Sequence, residues 1–394
     1  MRFYLDHAAT TPLRSEAREA WLAASDVIGN ASSTHGAGQD ARRLLEDSRE
    51  RIAGTLGCDP IEVVLTSGGT ESINTALHGL WESRSPDAGA TGSDTIVLPD
   101  GEHHATMDTV AALAAAGATV RQVPLTELGR IEPGAFAAQL PGGAVATALV
   151  ANNEVGTVND AAALAAAAAD ARVPLHLDAV AALGHLPLSF RSLRGDAAAG
   201  TGLVALSVAG HKIGAPVGIG ALVVDRTAKI APLLRGGAQQ RGLRAGTQDV
   251  PGAAAFAAAL VAAEREREGE GVRLRGLRDR LIDGIRSAVP EARLLGDPIE
   301  RLPGNAHFLF PGAVGESLLF LLDVAGVAAS TGSACQAGVA EPSHVVLAMG
   351  GSERDARSVL RFTLGRTSAD ADVDAVLSAI ADAYARASGQ LNAR

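Results

Sequence analysis

The stretch Gly202-Leu203-Val204-Ala205-Leu206-Ser207-Val208-Ala209-Gly210-His211-Lys212 decides how this chain is read. The apolar run from Gly202 to Val208 describes a strand buried on both faces. Lys212 therefore leaves a sheet at a strand's carboxyl end. The chain carries 34 basic side chains, and only Lys212 and Lys229 among them are lysines. A lysine beside a histidine and followed by glycines is placed to form a Schiff base. Arginine cannot do so, because its guanidinium keeps its proton. The competing reading is a lysine left over from a strong arginine bias.

Outward from that strand, short apolar runs alternate with helical patterns over residues 60–225. The runs are Val63-Val64-Leu65, Thr95 to Leu98, Val120 to Val123, Val145 to Val150, Pro174 to Leu177, Leu203 to Val208 and Ile219 to Val224. Helical stretches such as Thr70 to Trp81, Ala105 to Ala116 and Ala161 to Ala171 separate most of them. This alternation predicts an α/β fold: a seven-stranded, mostly parallel sheet covered by helices on both faces. Only Gly210 to Gly218 joins the last two runs, too short for a helical crossover, so that pair is expected to be antiparallel. After Gly246 the pattern changes. A long helical region, Val250 to Val289, is expected to break near Gly269–Gly271. Short strands (His307 to Phe310, Val327 to Ala329, Leu360 to Leu364) then mix with helices (Glu316 to Val324, Asp372 to Ala387), which describes a smaller α+β domain.

Composition narrows the function classes. With 394 residues, 47% hydrophobic and 20% charged, the chain suits a globular protein with a large core. Its net charge of −10 and lack of a basic block argue against direct nucleic-acid binding. No signal peptide is read at the N-terminus, and no long uncharged apolar window suggests a membrane span. Two cysteines, Cys58 and Cys335, make neither a disulfide framework nor a zinc site, so a cytoplasmic location is expected. Cys58 has the context of a structural residue.

Ligands of open α/β sheets bind outside the strands' carboxyl ends. After the first strand, Thr66-Ser67-Gly68-Gly69-Thr70-Glu71-Ser72 is a phosphate cradle without a Walker lysine, or an ordinary glycine-rich turn capped by Thr70. Gly101-Glu102-His103-His104 follows the second strand. His103 there can stack on a planar ring or carry protons, or lie on the surface. Asn153, in Asn152-Asn153-Glu154, can donate to a ring oxygen or a carboxylate, or form a polar turn. Asp178 ends a buried strand, where a carboxylate is costly unless paired. Its partner is a protonated pyridine nitrogen, or it caps a helix. Together with Lys212 these groups form the set that pyridoxal phosphate requires. Arg361, on an otherwise apolar strand, suits a bidentate grip on a substrate carboxylate, or a structural ion pair. Cys335 sits among small residues in Ser330 to Gly338, the context of an accessible, reactive thiol.

In these motifs taken together, the chain resembles the cysteine desulfurases of the NifS/IscS type, within the fold-type I pyridoxal phosphate-dependent transferases. The resemblance runs from Leu5-Asp6-His7-Ala8-Ala9-Thr10-Thr11-Pro12 through Gly29 to His35, Thr66 to Ser72, Glu102-His103, Asn152-Asn153-Glu154, Gly210-His211-Lys212, Arg244 to Thr247, Ser330 to Cys335 and Arg361 to Arg366. The loop ending at Cys335 is similar to that of the group I enzymes. The resemblance implies a large domain at 14–260 and a small one formed by 1–13 with 261–394, carrying the cysteine loop at about 328–340. It implies Lys212 as the Schiff-base lysine, Asp178 on the pyridine nitrogen and His103 stacked on the ring. Gly69, Thr70 and His211 would hold the phosphate, with Thr247 entering from a second subunit of a homodimer. Asn153 and Arg361 would bind the carboxylate of L-cysteine. Cys335 would collect the sulfur and hand it to a protein acceptor, an iron–sulfur scaffold or a tRNA-thiolating enzyme. No resident metal is expected, although Cys335 could transiently ligate an iron–sulfur cluster.

Three positions depart from the family pattern. Ala181 stands where a glutamine usually donates to the cofactor's phenolic oxygen, Ala209 where a serine or threonine usually bonds the phosphate, and Ala31 where proline is common. Each lost donor is worth about 0.5–1.5 kcal/mol net. The expected reaction is L-cysteine to L-alanine with a persulfide on Cys335. An aminotransferase or selenocysteine lyase of the same fold, and a weakly catalytic scaffold, are the alternatives.

Overall fold

Seven strands form the central sheet, in the order 63–66, 220–224, 202–209, 174–178, 145–149, 95–99 and 119–123. All neighbours are parallel except those of Gly220–Val224, which runs antiparallel to both strands beside it. The ten residues between Ala209 and Gly220 are too few for a helical crossover, which leaves that reversal. Side chains alternate across the pleat. Val63, Leu65, Leu175, Leu177, Leu206 and Val208 face one core with Leu45, Ile52, Leu164 and Phe256. Val64, Ile96, Leu98, Val204 and Leu222 face the other, against Ile73, Leu77, Val110 and Leu113. Both faces are therefore sealed by helices, and the strands' carboxyl ends are left open for ligands.

The computed structural model describes residues 2–84, 94–332, 335–336 and 339–389, with backbone alone at 335, 336, 339 and 340. A second core gathers Phe308, Phe310, Leu318, Leu322, Leu360, Phe362, Val376 and Ile380. It lies around a three-stranded antiparallel sheet, Val359–Thr363, Asn305–Leu309 and Arg293–Leu295. Helices Gly315–Val324 and Asp370–Ala387 cover it. Leu5 belongs to this core, and Phe3–Tyr4 pairs parallel with Val327–Ala328.

The expected break at Gly269–Gly271 does not occur. One continuous helix runs from Val250 to Ala288, 39 residues. Each glycine costs about 1 kcal/mol relative to alanine, a local preference that packing overrides. Val250 to Ala263 is buried against the large sheet, and Leu274 to Ile285 against the second core. Glu264–Arg267 and Glu270–Arg273 ion pairs bracket the glycines, and Arg273 also donates to the Ser368 carbonyl.

Candidate active site

The strand ends open on a cavity of about 410 Å³. Its wall includes Gly69, Thr70, His103, Asn153, Asp178, His211, Lys212 and Arg361, all of them singled out in the sequence. The elements that deliver them are short and braced. Gly210 fits because a Cβ there would meet Ala215, the Ile219 carbonyl and Phe256 at 2.9–3.1 Å. The turn it begins is clamped by the N-terminal segment: Thr11 donates its N–H to the His211 carbonyl, and Arg14 donates to those of Ile213 and Gly214. Lys212 is thus presented by a turn braced on both sides.

Asp178 ends the Pro174–Asp178 strand and is 2% exposed. Burial pushes its carboxyl up to about 6, offset by the Val180 N–H, which donates to Oδ1 at 2.8 Å, and by Lys212. Burial pushes the Lys212 amine down to about 8, against the pull of Asp178. The two feel each other's charge without forming a contact ion pair among the described residues. His103 caps the helix His104–Ala115, its Nδ1 accepting from Ala105 N–H at 3.0 Å. A neutral ring so engaged carries its proton on Nε2. Burial and then Lys212 hold its pKa at about 4, so the ring stays neutral. The capping role was not read from the sequence.

The cradle at Gly68–Thr70 begins the helix Gly69–Glu82, whose first N–H groups have no partner within the helix. Gly68 adopts φ +146°, which favours glycine, and a Cβ on Gly69 would strike Val180 at 2.7 Å. Ser67 N–H donates to Glu71, which Arg244 holds at 2.9 Å. Ala181 and Ala209 lie on the cavity wall and offer no side-chain donor.

Arg361 lies on Val359–Thr363, 5% exposed. Its Nη1 donates to the Asn153 carbonyl at 2.8 Å and its Nη2 to Asp6 Oδ1 at 2.9 Å. Among the described residues, its Nε and the buried Asn153 Oδ1 have no partner. The sequence left Arg361 as carboxylate binder or ion pair; it makes an ion pair and keeps an unpaired donor. Asp6 was missed because nothing in its local pattern names a partner 355 residues away.

Ser330 and Gly332 line the cavity, at the start of the segment leading to the reactive-cysteine candidate. Cys335–Gln336 pairs antiparallel with Val339–Ala340. Ser333, Ala334 and the Cys335 side chain lie outside the described residues. Thr247 is exposed and does not line this cavity. Cys58 is buried, with its thiol pushed up to about 12 by desolvation, as suits a structural residue. The sequence reading also passed over Glu154, Ser343 and His344. Ser343 donates to the buried Glu154 carboxylate, and His344 bonds the Glu102 carbonyl at 2.8 Å. The Ser343 cap before a short helix was the available signal.

Known proteins resemble this chain over nearly its whole length. Residues 3–376 match the family model described as Aminotransferase class-V. An IscS-like cysteine desulfurase of Mycobacterium tuberculosis is 46% identical over 98% of this chain and 96% of that protein. Cysteine desulfurase NifS of Azotobacter vinelandii is 37% identical over 95% and 90%. A solved structure titled NifS-like protein superposes with TM-score 0.88 at 30% identity, covering 97% of this chain and 99% of that one.

Proposed function

The chain belongs to the aminotransferase class-V family and is a cysteine desulfurase of that pyridoxal phosphate-dependent group, and on this premise we propose how its own residues do the work. The observation that carries the proposal is the buried acid and buried amine facing one cavity without touching. Each is perturbed by desolvation, and a polar planar group between them would satisfy both. The cradle at Gly69 and Thr70 suits an anion. The residues therefore fit pyridoxal phosphate. Lys212 would tether it, Asp178 would sit at its ring nitrogen, and His103 would stack on it. Gly69, Thr70 and His211 would hold its phosphate. Bound there, the cofactor supplies an electron sink for charge developing on the amino acid's α carbon.

The protein's part is positioning and proton traffic. Arg361 and Asn153 orient the substrate carboxylate, which fixes the α carbon toward Lys212. An amine held near 8 is partly unprotonated at neutral pH, so Lys212 can take the α proton and return it to the alanine product. Asp178 would hold a proton on the ring nitrogen of the bound cofactor. The thiolate of Cys335 attacks the substrate sulfur: the S–S bond forms as the substrate's Cβ–S bond breaks. The electron pair of that bond stays with the carbon skeleton, which takes up a proton and leaves as alanine. Cys335 carries the sulfur as a persulfide to a protein acceptor for iron–sulfur cluster assembly. The fold supports a large domain at 14–260 and a small one from 1–13 with 261–394. The exposed Thr247 suits a homodimer in which each copy completes its partner's phosphate site.

The test is mass spectrometry of the Cys335 peptide after L-cysteine is added to the purified protein. One extra sulfur on that peptide, with alanine released in parallel, is expected. Cys335→Ala turning over at the normal rate would overturn the persulfide route.

A further inference from the structure

Substrate and product of this reaction carry the same carboxylate. A grip that holds both equally lowers KM without speeding the chemistry, and it slows product departure. Arg361 alone, 5% exposed and desolvated, would be such a grip. It is not alone. Asp6 meets Nη2 at 2.9 Å. Arg361 lines the cavity and Asp6 does not, so Asp6 leaves the cavity side of the guanidinium open to a ligand. Its position is fixed by backbone: Asp6 bridges Thr363, two residues along Arg361's own strand, and its carbonyl accepts from the Tyr4 hydroxyl at 2.9 Å. The guanidinium has five N–H groups, and the Nε donor is left without a partner among the described residues. Asp6 and the Asn153 carbonyl engage Nη2 and Nη1, the guanidinium keeps further N–H groups for a ligand, and the negative charge of Asp6 offsets part of its positive charge.

We propose that Asp6 attenuates Arg361, setting a deliberately weak carboxylate subsite from which alanine leaves readily. The proposal rests on the desulfurase reading of this site. A carboxylate bound to Arg361 feels Asp6 as a second like charge on the same cation, and that repulsion weakens binding. A plain strut would act in the opposite direction: removing it would loosen Arg361 and weaken binding. The sign of the change separates the two roles.

The experiment uses holoenzyme carrying Asp6→Asn, which keeps an oxygen to accept from Arg361 and loses the charge. L-Cysteine kinetics and calorimetric titration with L-alanine are compared with wild type. KM for L-cysteine and Kd for L-alanine are both expected to fall about three- to tenfold, with the Kd of ethylamine, which lacks the carboxylate, unchanged. Constants that rise, or stay the same, overturn the proposal. Asp6→Ser gives the same reading if Asp6→Asn does not fold, and Asp6→Glu, which keeps the charge, is expected to retain the weaker wild-type Kd. A wild-type holoenzyme that makes no alanine sinks the activity reading instead, while the alanine titration still tests Asp6.

Discussion

Two acid–base pairs serve the same cavity, lined by Asp178, Lys212 and Arg361 but not by Asp6, and they are built on opposite terms. Asp6 and Arg361 touch at 2.9 Å and offset each other's charge, while the Arg361 Nε keeps no partner among the described residues. Asp178 and Lys212 are buried at the ends of adjacent strands and interact only through space. The first pair is joined by direct contact within the chain and poses a residue. The second is incomplete: its carboxyl is held up at about 6 and its amine down at about 8 because burial outweighs their mutual attraction. A pair left in that condition marks where something else belongs, since a buried charge without a contact partner is costly. In this molecule the difference separates a positioning device from a reaction centre.

The strongest way to break that contrast is Lys212→Met. Turnover of L-cysteine is expected to drop about 10⁴-fold or more, because no other amine faces the cavity among the described residues. The cofactor-free variant is nonetheless expected to melt about 2–4 °C above cofactor-free wild type near pH 7. The sign follows from linkage. A lysine whose folded pKa lies below its unfolded value near 10.4 binds fewer protons when folded. Its penalty is present in full below pH 8 and fades as pH rises to about 10. The gap between the two melting curves should close over that window. A variant less stable than wild type at pH 7 would mean that Lys212 is satisfied in the free protein.

Arg361→Gln tests the other pair and should behave in the opposite way. Asp6 loses its cation and the Asn153 carbonyl loses a donor, so stability is expected to fall by about 1–3 kcal/mol in denaturant unfolding. KM for L-cysteine should rise about ten- to a hundredfold, with kcat changed less, because a carboxylate contact acts on substrate and transition state alike. Loss confined to kcat would show that Arg361 serves the chemical step.

These two regions were unequally legible in the sequence. The reaction centre was readable because each member sits at a strand end, and strand ends are marked by local apolar runs. Lys212 after Leu203 to Val208, and Asp178 after Leu175 to Leu177, needed no knowledge of distant contacts. The positioning pair was half readable. Arg361 stood out on an apolar strand, but Asp6 reaches it only through tertiary folding, with the Asp6–Thr363 bridge joining the chain's two ends. The continuous helix at Val250–Ala288 was misread for the same reason: glycine's local preference is visible in sequence, and the two cores that override it are not.

The smallest expected effect concerns Ala181, three residues after Asp178 and on the same cavity wall. The family pattern places a glutamine there, donating to the cofactor's phenolic oxygen. Ala181→Gln would restore one donor beside the incomplete pair and leave Asp6–Arg361 untouched. One hydrogen bond is worth about 0.5–1.5 kcal/mol net, which corresponds to about a two- to tenfold tighter Kd for pyridoxal phosphate. Spectrophotometric titration of the stripped protein would read it. The KM for L-cysteine should not move, because the carboxylate subsite is held by other residues. An unchanged cofactor Kd would mean that an ordered water already occupies the glutamine's role, since a bridging water approaches a direct hydrogen bond in strength. The reaction centre would then be more nearly complete than its side chains indicate, and the contrast between the two pairs would narrow to the Asp178–Lys212 charges alone.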